Sequence, residues 1–189
     1  MLKIILSFIF LINFSAVFAQ SNKEISHLEF LGIPITGELD DFVSKVLEKN
    51  RGFEVTRKHT NDFRGFTSTE LNGGKFWKFN DCSMFVRYNN DVELVTSILV
   101  NYKKAQEQDY EDIILSFDKK YGEHDDKNKE NGWLKYMWWV ENNGRIIVTI
   151  AKKYSLISIK YEDFPETCIE AEKEIKKLLY EGYVEDSDL

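Results

Sequence analysis

The chain has 189 residues, with 25 basic and 32 acidic side chains, a formal charge of −7, 43% hydrophobic residues and 14% aromatic residues. An acidic surface repels the phosphate backbone, and no run of Lys and Arg interleaved with aromatics offsets that repulsion. Nucleic acid is therefore not an expected partner, and anionic membrane surfaces are disfavoured. The length suits one compact domain that buries about 70% of the surface its unfolded chain exposes, without needing a structural metal or a dense disulfide framework.

Residues 1–19 read as a secretory signal peptide. Lys3 supplies the positive start, the apolar run 4–14 is too short to span a bilayer, and Val17-Phe18-Ala19 places small residues where a signal peptidase reads. Gln20 stands where a lipid-anchoring cysteine would have stood. The expectation is an exported, unanchored protein, periplasmic or secreted, with no integral membrane segment once the signal is removed. Without Lys3, 24 basic side chains face 32 acidic ones, a charge of −8.

Residues 20–189 are predicted to form a single α+β domain. A short strand at 28–30 leads through the turn 32–37 into a helix over 38–49. Leu39, Phe42, Val43, Val46 and Leu47 line one face of that helix, with Glu38, Asp40 and Asp41 at its positive end and Lys49 near its negative end. Alternation then predicts strands at 53–58, 63–71, 75–79, 82–88 and 93–102, punctuated by Asn72-Gly73-Gly74, Asn80-Asp81 and Asn89-Asn90. A second helix, 106–121, repeats the apolar step with Tyr110, Ile113, Ile114, Phe117 and Tyr121, and Gly122 closes it. A charged loop over 123–131 follows, then strands at 133–141, 145–151 and 155–161, the first two joined across Asn142-Asn143-Gly144. Pro165 opens a terminal helix over 165–180, with Cys168, Ala171, Ile175 and Leu178 along its stripe.

This order suggests an internal duplication of a helix-plus-three-strand unit, with pseudo-repeats at 28–103 and 105–162. Strands joined by short turns are antiparallel, so the expected fold is an antiparallel sheet with helices packed on one face. Leu134, Tyr136, Trp138 and Val140 point toward the helices with Ile146, Val148, Ile150, Ile157, Ile159 and Tyr161. Cys82 faces the same way if Met84 and Val86 do, and Cys168 lies on the apolar stripe of the terminal helix. A Cys82–Cys168 disulfide follows from that shared interior in an oxidising compartment, and two buried free thiols are the alternative.

The segment His27-Leu28-Glu29-Phe30-Leu31-Gly32-Ile33-Pro34-Ile35-Thr36-Gly37, followed by Leu39-Asp40-Asp41-Phe42, resembles the opening of a group of small secreted proteins from gut Bacteroidota. The resemblance implies a periplasmic or secreted location and carries over no catalytic residue. In layout, tandem helix-plus-three-strand units are similar to the β-lactamase inhibitor protein and the outer-membrane assembly factor BamE. Both bind proteins, and fold-level likeness of this kind implies a function only by analogy.

His27, His59 and His124 stand apart in sequence and are read as surface histidines. No Gly-x-Ser-x-Gly, His-Glu-x-x-His or paired-cysteine spacing is present. The loop from Asp126 begins like a calcium loop, but Asn131 stands where glycine should turn and Met137 where a bidentate glutamate should close the shell. No metal or other cofactor is expected. The aromatics say more, because Trp138 and Trp139 are adjacent on one strand and must face opposite sides of the sheet. With Trp138 inward, Trp139 shares the other face with Trp133, Met137 and Ile147, and Phe85 is a candidate neighbour, unless a loop or the segment 53–71 folds over them. The expected function is non-catalytic binding of a protein or envelope component, anchored on Trp133, Met137 and Trp139. The alternative is an envelope hydrolase whose carboxylates, such as Asp81 or Glu141, meet only in space.

Overall fold

A computed structural model describes residues 27–62, 65–140 and 144–164. The signal segment expected at 1–19, Glu141, Cys168 and the terminal helix expected at 165–180 lie outside the described residues. The chain opens with a small hairpin of β1 (Glu29–Phe30) and β2 (Ile33–Pro34). Its turn residues Leu31 and Gly32 both take positive φ, 54° and 68°, the twist that suits a two-residue hairpin. Helix α1 (Leu39–Lys49) follows, burying Leu39, Phe42, Val43 and Val46, with Asp40 and Asp41 in its first turn and Lys49 in its last.

Four strands come next: β3 (Glu54–Asn61), β4 (Phe66–Phe76), β5 (Phe79–Asn89) and β6 (Leu94–Tyr102). Helix α2 (Glu107–Tyr121) buries Tyr110, Ile113, Ile114 and Phe117. At its start the Gln106 backbone N–H donates to Asp109 at 2.8 Å, and at its end Gly122, at φ 91°, donates to the Asp118 carbonyl at 2.9 Å. Four more strands complete the described chain: β7 (Asp126–Glu130), β8 (Trp133–Val140), β9 (Gly144–Ala151) and β10 (Leu156–Asp163), with a 3-10 turn at Lys152–Tyr154 between the last two. No helix among the described residues is long and apolar enough to cross a membrane.

The eight strands β3 to β10 form one antiparallel sheet in the order β3-β4-β5-β6-β10-β9-β8-β7. Each half is a four-strand meander, and the last strand of one half pairs with the last strand of the other. Register aligns Met84 with Val100, Val100 with Ile159, Ile159 with Val148 and Val148 with Tyr136. Those residues belong to one buried apolar cluster that also holds the buried faces of α1 and α2 and the hairpin residues Leu28, Phe30, Ile33 and Ile35. Trp138 is fully buried in it, with its ring centroid 5.4 Å from that of Phe117. Its indole N–H reaches Asp118 Oδ1 and the Gly122 carbonyl, each at 3.1 Å, so the one polar atom of the side chain is satisfied at the end of α2.

Three expectations are corrected. Asn72-Gly73-Gly74 is not a turn: β4 runs through it with shifts of register on either side of Gly74. A Cβ on Gly74 would lie 2.2 Å from the ring of Phe53, so glycine is there to let an aromatic ring press against the strand. The reversal lies at Trp77-Lys78, because Phe76 pairs with Phe79, and Asn80-Asp81 lies within β5. The charged segment after α2 is not a loop in its middle, since Asp126–Glu130 is an edge strand on β8. All five of its residues are exposed, which left no apolar period to read. The helix-plus-three-strand unit is also too short by one strand, as four follow each helix.

Candidate functional site: the sheet face away from the helices

The side of the sheet away from the buried cluster is built by the alternate residues of the same strands. Met137 lies opposite Ile147, Ile147 opposite Lys160, Lys160 opposite Leu99, and Leu99 opposite Phe85. All five are half-buried, giving an apolar band interrupted by one lysine across β8, β9, β10, β6 and β5. Strands β3 and β4 extend this sheet, so the described residues of the segment expected as a cover at 53–71 lie beside the face and not over it.

Trp139 lies one row away and is 53% exposed. Its neighbour across the ladder is Arg145, whose guanidinium carbon sits 5.7 Å from the Trp139 ring centroid and 5.1 Å from that of Phe164. The Trp139 and Phe164 centroids are 6.3 Å apart. Arg145 also pairs with Glu162, which takes a second hydrogen bond from Lys160. Burial pushes the Glu162 carboxyl up, but these two cations outweigh it and hold the group below its ordinary value. The result is a cation lying against two neighbouring aromatic rings and paired with a carboxylate, an arrangement suited to an interface anchor.

Trp133 shares this face but not this cluster. It stands at the far end of β8, half-buried, with its ring centroid 6.1 Å from Tyr154, which is 58% exposed. Six residue steps along the strand separate Trp133 from Trp139, about 20 Å. The three expected anchors thus lie on one face at three places, with Met137 in the apolar band between two aromatic centres. Leu99, Arg145, Tyr154 and Phe164 were not among the residues singled out from the sequence. Leu99 needs the register between distant strands to be seen. Tyr154 and Phe164 lie outside the strands, where alternation gives no guidance.

The other singled-out residues are placed as follows. His27 Nδ1 lies 2.8 Å from Asp163 Oδ2, and Asp163 also accepts the Leu28 backbone N–H at 2.7 Å, tying the opening hairpin to the end of β10. Burial raises the Asp163 carboxyl, and the contacts with His27 and Leu28 act against that rise. His124 Nδ1 lies 3.2 Å from Asp118 Oδ1, and His59 Nε2 lies 3.1 Å from Asp40 Oδ1. All three histidines meet an aspartate, and His27 and His124 are half-buried instead of lying free on the surface. The residues that resemble a calcium loop lie in extended β7, where successive side chains leave opposite sides of the strand. Asp81 is bonded to Lys104 at 2.7 Å, which lowers its pKa, and Glu141 lies outside the described residues. Cys82 is buried on the cluster side and burial pushes its thiol up, while its expected partner Cys168 lies outside the described residues.

The chain matches no protein-family model, no curated protein and no solved structure.

Proposed function

We propose that the protein is an exported, non-catalytic binding protein of the cell envelope that holds a protein or envelope component on the sheet face away from its two described helices. The observation that carries the reading is Trp139, 53% exposed beside Arg145 and Phe164, one peptide bond from a tryptophan with no exposure at all. Large aromatic and arginine side chains at the centre of an otherwise modestly apolar surface are the usual anchors of an interface. Export rests on the signal-like residues 1–19. The same reading takes the two halves as a duplicated helix-plus-four-strand unit with both helices on one side, supported by the mirrored strand order and the single shared core.

The test is Trp139→Ala. The variant should lose less than about 1 kcal/mol of stability, as an exposed substitution does, and yet fail to retain a partner captured by the wild-type protein from native envelope fractions. A stability loss of the size seen for buried tryptophans, or undiminished capture, would sink the reading.

A further inference from the structure

At the β7–β8 end of this face the sheet holds a cleft of about 410 Å³, lined among the described residues by Glu130, Asn131, Trp133, Lys135, Thr149 and Ser158. Register builds it. Lys135 lies opposite Thr149, Thr149 opposite Ser158, and Glu130 opposite Trp133. Asn131 takes the left-handed conformation in the β7–β8 turn, at φ 51°. Tyr154 stands beside Trp133, the two ring planes inclined at 46°.

The polar groups of this cleft are uncommitted. Among the described residues, the side chains of Glu130, Asn131, Lys135 and Thr149 make no hydrogen bond or ion pair with the rest of the protein. Ser158 gives its proton to Asn101 Oδ1 at 2.7 Å and keeps its lone pairs for a ligand. The charge balance is even, one lysine against one glutamate. A phosphate or nucleotide would need more positive charge, and a bare cation more carboxylates.

We propose that this cleft binds a neutral oligosaccharide, with the Trp133 ring, flanked by Tyr154, against the C–H face of a sugar and the polar lining on its hydroxyls. A sugar hydroxyl both donates and accepts. Asn131 and the threonine and serine hydroxyls do the same, while Lys135 only donates and Glu130 only accepts. An aromatic ring supplies rigid apolar area at low entropic cost, and the volume falls in the usual range for small-ligand clefts, about 300–1,000 Å³. The inference names a ligand for one end of the face assigned above to partner binding, and it rests on that reading.

The experiment is titration of the purified protein with hexamers of β-linked glucose, α-linked glucose, xylose and N-acetylglucosamine, read by tryptophan fluorescence and calorimetry. At least one should bind saturably, and the series distinguishes sugars by linkage and by the N-acetyl group. Trp133→Ala should weaken that binding about tenfold or more, the loss expected of a central aromatic anchor, and Leu115→Ala, at an exposed position on α2, should leave it unchanged. If Trp133→Ala does not fold, Thr149→Val and Asn131→Ala carry the test, and each should weaken binding severalfold. No saturable binding by any of the four, or binding indifferent to the cleft variants, overturns the inference. Failure here with Trp139-dependent capture intact removes the sugar site alone, whereas failure of both removes the binding reading of the whole face.

Discussion

The pleat sends the rings of Trp138 and Trp139 to opposite sides of the sheet, and that single fact separates a structural residue from a candidate functional one. Trp138 fills the core between Phe117 and the end of α2 and satisfies its N–H there. Trp138→Ala should therefore cost about 3–5 kcal/mol, read as a lower urea midpoint at unchanged slope. Thr69 works in the other direction. It is fully buried in β4, and its hydroxyl has no hydrogen-bond partner among the described residues. An unsatisfied buried hydroxyl costs more than it returns, so Thr69→Val should raise stability by about 1 kcal/mol in the same measurement.

Paired strands decide what an individual carboxylate does. Register between β9 and β10 sets Glu162 opposite Arg145, and Lys160 reaches the same carboxylate from its own strand. Because the folded protein holds Glu162 below its ordinary value of 4.5, its contribution to stability is complete above that pH and is lost as the pH falls toward the folded value. Asp163, raised by burial, has the opposite sign: its contribution is present below its ordinary value of 3.8 and fades as the pH rises. The Glu162→Gln variant should therefore show a shallower fall of Tm between about pH 5 and pH 3 than the wild-type protein. An equally steep fall would mean that other carboxylates govern the acid limb. The same scale shows why some elements were legible and others were not. Helices α1 and α2 announce themselves by apolar spacing, caps and end charges that all agree. Strand β7 is polar on both sides because it is an edge, where lysine discourages pairing with another chain. The glycines of β4 resembled a turn, because the ring of Phe53 that requires Gly74 comes from just ahead of the neighbouring strand β3.

Across the whole molecule, the sheet order mirrors itself about the β6–β10 pair. Alternation within β8 was enough to put Trp133, Met137 and Trp139 on a common face, since a strand has a period of two whatever lies beside it. It could not show that Leu99 and Phe85 continue the apolar band, or that Trp133 and Trp139 keep separate company. Those facts depend on pairing between residues far apart in the chain. The two halves also share a core, so no half has its own apolar interior to retreat to.

The mirrored order also bears on how the chain reaches its fold. Within each meander every strand pairs with the next one along the chain, so these ladders close short loops at small entropic cost. Only the central pair, with Val100 opposite Ile159, joins strands separated by a helix and three other strands. Such a distant closure is slow and repays its cost only after both partners are in place, which predicts that the middle of the finished sheet is the last of its ladders to gain amide protection during refolding.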